Sequence, residues 1–129
     1  MIDLSGVFIP AVTPFEDGSG EIDLAAFQAN LRNWAQHPVQ GVVLAGTTGE
    51  AVLLDEEERT NLVAAAKSAL PPEILITVGT GMESTRATIR LSAKVADTGA
   101  QAVLVQPPAY YKGAMTPEAL REHYLAVAE

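Results

Sequence analysis

The chain contains no cysteine. That excludes disulfides, thiolate metal ligands and a cysteine nucleophile, and leaves chemistry to hydroxyl, carboxylate, amine and amide groups. Positive charge is scarce: 8 Lys and Arg against 16 Asp and Glu give a formal net charge of −8. The cations are also scattered, so neither a nucleic acid nor an anionic membrane surface is expected as a partner. No apolar run approaches the roughly 20 residues needed to span a bilayer. The opening Met1-Ile2-Asp3-Leu4-Ser5 lacks the basic start and long apolar stretch of a signal peptide, and a cytoplasmic protein is the expectation. Aromatics are few, at 5%, yet 48% of the 129 residues are hydrophobic, which suffices for one packed domain and argues against disorder.

What is present is an alternation, repeated four times, of an apolar run, a loop and a segment with helical periodicity. The first run is Val7–Val12. The helix after it starts at Asp23 as N-cap, with Ile22 and Phe27 spaced as a hydrophobic staple and a stripe of Leu24, Phe27, Leu31 and Trp34. The second run, Val42–Ala45, leads to a helix capped near Asp55, whose Glu56, Glu57 and Glu58 complement the positive helix end. Leu62, Ala66 and Ala69 share a face of it. The third run is Ile74–Val78, followed by a helix over 84–97 with Ile89, Ala93 and Ala96 as its stripe. The fourth, Ala102–Val105, precedes a helix opened by Thr116 and Pro117, with Met115 and Leu120 as a second staple and Leu120, Tyr124 and Val127 continuing the face.

Such a pattern predicts an α/β fold with a parallel sheet covered by helices. Two architectures fit: an open doubly wound sheet, or half of an eight-unit barrel. Four strands cannot close a barrel of that kind. The barrel reading therefore expects residues 1–129 to be the N-terminal half of a truncated domain, and the last helix indeed breaks off soon after its apolar stripe begins.

The stretch Gly46-Thr47-Thr48-Gly49-Glu50 lies between the second strand and its helix, at the edge where α/β proteins bind ligands. Glycines there permit unusual backbone angles and close ligand approach. Two hydroxyls with neighbouring N–H groups suit a small carboxylate or phosphate; the alternative is that Thr47 and Thr48 only cap a turn. Tyr110 and Tyr111 follow the fourth strand on the same edge. In an extended loop adjacent side chains point opposite ways, which predicts one tyrosine in the site and the other at a subunit interface. Gly79-Thr80-Gly81 reads as a tight turn rather than a phosphate loop, since the dinucleotide fingerprint is incomplete. Glu50 is expected to accept backbone hydrogen bonds that shape its turn. His37 and His123 fall on outer helices, and no metal-ligand constellation or cofactor is predicted. Lys112 lies near the ligand edge without the desolvation or cationic neighbour that a Schiff-base lysine requires.

Taken together, Val12-Thr13-Pro14-Phe15, Gly46-Thr47-Thr48-Gly49-Glu50, Gly79-Thr80-Gly81 and Pro108-Ala109-Tyr110-Tyr111, in this order and spacing, resemble the dihydrodipicolinate synthase / N-acetylneuraminate lyase family, from Gly6 to Glu129. The resemblance implies an eight-unit (β/α) barrel, a TIM barrel, whose sixth-strand lysine forms a Schiff base with pyruvate or another small 2-oxo acid. It implies that Thr48, beside Gly46, holds the pyruvate carboxylate and that Thr47 and Tyr111 belong to a proton relay. Tyr111 would reach into a neighbouring subunit's site and Tyr110 would line the interface of a homo-oligomer, a dimer or dimer of dimers. Both the lysine and a second relay tyrosine would lie beyond Glu129, leaving this chain inactive by itself. The implied reaction is condensation of pyruvate with aspartate semialdehyde to 4-hydroxy-tetrahydrodipicolinate, in lysine biosynthesis. Glu83–Ile89 and Tyr110–Thr116 also resemble 4-hydroxy-2-oxoglutarate aldolases, which usually depart from the two-threonine turn. Glu83 and Ala87 replace the asparagine and glutamate of the inhibitor pocket of lysine-regulated synthases, so lysine inhibition is not expected. From another class, the chain could be a non-catalytic half-barrel that binds a carboxylate or dimerises.

Overall fold

The computed structural model describes residues 2–129. Four βα units follow one another. Strands β1 (Phe8–Pro10), β2 (Gly41–Leu44), β3 (Leu75–Gly79) and β4 (Ala102–Leu104) alternate with helices α1 (Leu24–Trp34), α2 (Glu56–Ala69), α3 (Thr85–Thr98) and α4 (Pro117–Ala128).

All strand pairs are parallel, in the order β1-β2-β3-β4, with Phe8 opposite Gly41, Val43 opposite Thr77 and Gly79 opposite Leu104. Order decides the architecture. Crossovers between parallel strands are right-handed, so a sheet that grows in one direction receives every helix on the same face. A doubly wound sheet must reverse its order to cover both faces, and this one does not. Consecutive helices pack on one another, α1 on α2, α2 on α3 and α3 on α4. Val42, Leu44, Ile76 and Val78 are buried beneath that layer, whereas Val43, Leu75 and Thr77, one residue out of phase, are half-buried and Pro10 and Leu104 are exposed.

The helix starts form for the local reasons read above. Asp23, Ser84 and Thr116 each accept a backbone N–H in the first turn, and Pro117 occupies the first turn of α4. Asp55 and Glu58 form a reciprocal capping box, each accepting the other's backbone N–H.

Several faces differ from expectation. In α3 the buried row is Thr88, Leu91 and Val95, while Ile89, Ala93 and Ala96 face outward. Both rows have helical spacing. Thr88 enters the core because its hydroxyl finds partners there, accepting from Met82 N at 3.1 Å and donating to backbone carbonyls. In α1 Leu24 is 40% exposed, and burial falls on Phe27 and Leu31. In α4 the buried residue is His123, with Tyr124 39% exposed. His123 packs inward against α3, its Nδ1 lying 2.9 Å from the Thr85 hydroxyl.

Candidate functional site

The C-terminal ends of the four strands carry loops that are tied to one another by side chains. Behind β1, the buried Thr13 donates its hydroxyl to the Gly49 carbonyl at 2.8 Å. The turn after β2 closes on itself through Glu50 N to Thr47 O at 3.1 Å and Ala51 N to Gly46 O at 3.2 Å. Thr47 and Thr48 stand exposed on the outside of that turn.

The backbone strain of this turn is not where its glycines are. Gly46 and Gly49 have ordinary φ values, whereas Ala45 and Glu50, on either side, are left-handed at φ 47 and 57. Non-glycine residues in that region cost of order 1 kcal/mol or more and persist only where the surroundings hold them. Glycine at 49 is required instead by proximity, because a Cβ there would lie 2.8 Å from the Ala11 carbonyl oxygen. Among the described residues the Glu50 carboxylate does not accept the expected backbone hydrogen bonds. Arg59 supports the turn from behind: buried in α2, it donates to the carbonyls of Ala51 and Gly79. Desolvation lowers the pKa of that guanidinium, with the charge of Glu56 acting in the opposite sense.

Gly79-Thr80-Gly81 is a packing device. A Cβ at Gly79 would run into the Ala45 carbonyl oxygen, and one at Gly81 would lie 2.6 Å from the Gln106 carbonyl oxygen. The space among Gly46, Arg59, Gly79, Gly81 and Leu104 measures about 10 Å³, far too small for a phosphate. Thr80 is fully buried, its hydroxyl accepting from Ser92 at 2.9 Å.

The loop after β4 reaches both neighbouring turns. Gln106 donates its amide to the Thr47 hydroxyl at 3.0 Å. Glu83, in the turn after β3, accepts the backbone N–H of Ala109 at 3.1 Å and that of Tyr110 at 3.0 Å. The tyrosines are 79% and 71% exposed, at 110 and 111 respectively. They do not diverge as expected: their rings meet edge-to-face with centroids 5.0 Å apart. The backbone is not extended here, because Tyr111 (φ −96, ψ 60) enters a short 3₁₀ turn over Lys112–Ala114.

The candidate residues Gly46, Thr47, Thr48, Tyr110 and Tyr111 thus share one rim, with the β2 and β4 loops in direct contact through Gln106 and Thr47. Thr13, Arg59, Glu83 and Gln106 are the positions that residue-level reasoning did not assign to this rim. The family motif containing Thr13 marked its loop without indicating a partner, and nothing local distinguishes Gln106 from a solvated strand end. Among the described residues no helix is long and apolar enough to cross a membrane.

Comparison with known proteins gives this geometry its context. The sequence model of the Dihydrodipicolinate synthetase family matches residues 3–129. The chain is 39% identical over 128 residues to a mitochondrial protein of Emericella nidulans named as a probable 4-hydroxy-2-oxoglutarate aldolase, covering 96% of this chain and 41% of that one. It is likewise 39% identical over 125 residues to the 4-hydroxy-tetrahydrodipicolinate synthase of Fervidobacterium nodosum, covering 97% and 41%. Among solved structures, the chloride-inhibited dihydrodipicolinate synthase of Acinetobacter baumannii, complexed with pyruvate, superimposes with a TM-score of 0.88 at 34% identity, over 98% of this chain and 42% of that one. The chain spans about two-fifths of the length of the curated relatives it matches. Its four parallel strands and four helices match the N-terminal half of the TIM barrel of those structures. The chain belongs to the dihydrodipicolinate synthetase family, whose members are lyases and aldolases.

Proposed function

We propose that residues 1–129 supply the carboxylate clamp and part of the proton relay of a pyruvate-dependent, Schiff-base-forming lyase, the attacking lysine and the remaining strands belonging to polypeptide beyond Glu129. The observation that carries this reading is the Gln106–Thr47 hydrogen bond, which brings the two-threonine turn and the tyrosine loop to one rim. An A. baumannii relative with the same fold over this region was solved with pyruvate.

In this reading a lysine amine condenses with the C2 carbonyl of pyruvate and expels water. Loss of a C3 proton gives an enamine, whose carbon attacks the aldehyde carbonyl; hydrolysis then frees the product and the lysine. The Thr48 hydroxyl grips the carboxylate, and Thr47 and Tyr111 pass the protons that water expulsion and protonation of the aldehyde oxygen to a hydroxyl require. The exposure of Tyr110 and Tyr111 supports a homo-oligomer in which Tyr111 serves a neighbouring site and Tyr110 lines the contact.

The two-threonine turn favours 4-hydroxy-tetrahydrodipicolinate synthase, with aspartate semialdehyde as the partner. A second reading, 4-hydroxy-2-oxoglutarate aldolase, draws on Glu83–Ile89 and Tyr110–Thr116 and on the E. nidulans relative. Lysine inhibition fits neither, since the Glu83 carboxylate is engaged by loop N–H groups.

Borohydride trapping of labelled pyruvate tests the reading. The full-length protein is expected to gain a stable adduct, and the 129-residue chain none. Turnover with aspartate semialdehyde against cleavage of 4-hydroxy-2-oxoglutarate then separates the two activities. Absence of any adduct on the full-length protein sinks the proposal. A chain that forms a closed dimer with no turnover points to the non-catalytic module.

A further inference from the structure

We propose that Glu83 is a positioning residue for Tyr111: its carboxylate straps the tyrosine loop to the turn after β3 and thereby sets where the Tyr111 hydroxyl is presented. The inference rests on the catalytic reading of Tyr111 given above.

Between Gln106, which is tied to Thr47, and the 3₁₀ turn over Lys112–Ala114, the loop after β4 has few ways to hold its own shape. Pro107 and Pro108 carry no N–H group, so the first N–H groups the loop offers beyond Gln106 are those of Ala109 and Tyr110. Glu83 accepts both, with Ala109 N 3.1 and 3.2 Å from its two oxygens and Tyr110 N 3.0 Å from one of them. A carboxylate taking two successive N–H groups is charge-assisted and fixes orientation as well as distance. The Tyr111 ring is 71% exposed and touches Tyr110, so the position of its hydroxyl is inherited from the backbone just before it.

The anchor on the other side is firm. Glu83 projects from a turn whose Met82 N–H is held by the buried Thr88 hydroxyl at 3.1 Å. The same turn abuts β4, with Thr80 N donating to Leu104 O at 3.1 Å and Gly81 in close contact with the Gln106 backbone. A side chain on a fixed turn holding two successive amides just before a catalytic group is the arrangement expected where that group must be preorganised.

The test uses Glu83→Ala and Glu83→Gln in the full-length protein. Amide hydrogen exchange at Ala109 and Tyr110 is expected to accelerate about tenfold in E83A, as loss of charge-assisted bonds at an exposed site implies, and less in E83Q, which keeps one carbonyl oxygen. The kcat is expected to fall by roughly the same factor, with KM for pyruvate within about twofold, because the Thr48 clamp is untouched; E83Q should recover part of the loss. Unchanged exchange at both amides overturns the strap. Accelerated exchange with unchanged kcat, or a loss confined to KM, overturns the positioning role. If E83A does not fold, E83Q carries both measurements. Wild-type protein that traps no pyruvate defeats the functional reading before any variant is compared, and removes the catalytic half of this inference; the exchange rates still decide whether Glu83 holds the loop.

Discussion

Gln106 donates its side-chain amide to the Thr47 hydroxyl across 3.0 Å, joining positions 59 apart in the sequence. A hydroxyl that accepts from an amide N–H keeps its own proton free to donate elsewhere. The bond therefore gives Thr47 a direction, with its oxygen turned toward β4 and its proton available to another acceptor.

Thr47→Val should remove the oxygen proposed for the relay while nearly conserving volume. In the full-length protein kcat is expected to fall at least about a hundredfold, the scale of a lost proton-transfer group. The melting temperature should move little, because Thr47 is exposed. Thr47→Ser should retain much of the activity. Steady-state turnover with pyruvate and the aldehyde, alongside thermal unfolding, checks this, and a fully active T47V would remove Thr47 from the relay.

Gly79→Ala should be strongly destabilising. Its methyl group would overlap the Ala45 carbonyl oxygen, a backbone atom that cannot rotate away. A loss of about 2 kcal/mol or more is expected, at the upper part of the range for overpacking. Gly113→Ala, where an added Cβ meets nothing within 4 Å, should be close to neutral. Urea midpoints of the two variants give the comparison.

Arg59→Met should cost about 2–4 kcal/mol, since it leaves the carbonyls of Ala51 and Gly79 without their donor in a buried setting. Arg59→Lys should recover only part, because a single ammonium cannot reproduce the two-pronged geometry of guanidinium. Chemical denaturation measures both. Equal stability of wild type and R59M would show that the turn does not depend on this support.

The pair formed by Glu56 and Arg90 predicts a pH dependence. Hydrogen bonding from Arg90 holds the Glu56 carboxyl below its ordinary value of 4.5. A folded-state pKa below the unfolded one means that the contribution is whole above the unfolded value and disappears as pH falls through the folded one. The stability gap between wild type and Glu56→Gln, read from urea midpoints, should therefore be present at neutral pH and shrink on acidification. Arg90→Gln should behave alike. The gap is small, because both side chains reach solvent; a gap that widens in acid would contradict the assignment.

Local chemistry made much of this protein legible from its residues. Each helix start is written in a few adjacent positions, as in Asp55 with Glu58 or Thr116 with Pro117, and short-range hydrogen bonds realise them with little help from the rest of the chain. The alternation of apolar runs and helical stripes likewise specified four βα units, because burial of a strand on one side and a helix on the other needs only period. The family motifs placed Gly46-Thr47-Thr48-Gly49-Glu50 and the paired tyrosines in recognisable order.

Tertiary structure alone decided the rest, because the deciding contacts join residues far apart. Strand order, and with it the helix-free face that separates a half-barrel from a doubly wound sheet, depends on which runs pair. Which of two equally periodic rows of α3 turned inward was settled by packing, with Leu91 and Val95 fully buried in the core against α2 and the sheet while Ala93 and Ala96 face outward. The left-handed φ of Ala45 and Glu50 sits beside glycines that do not share it and that are instead required by close approach, Gly49 to the Ala11 carbonyl and Gly79 to the Ala45 carbonyl. Glu83 and Gln106 acquired their place at the rim only when the β4 loop was laid against its neighbours. Periodicity and caps are properties of a segment, whereas a carboxylate 26 residues from the amide it holds has meaning only after the chain has folded back on itself.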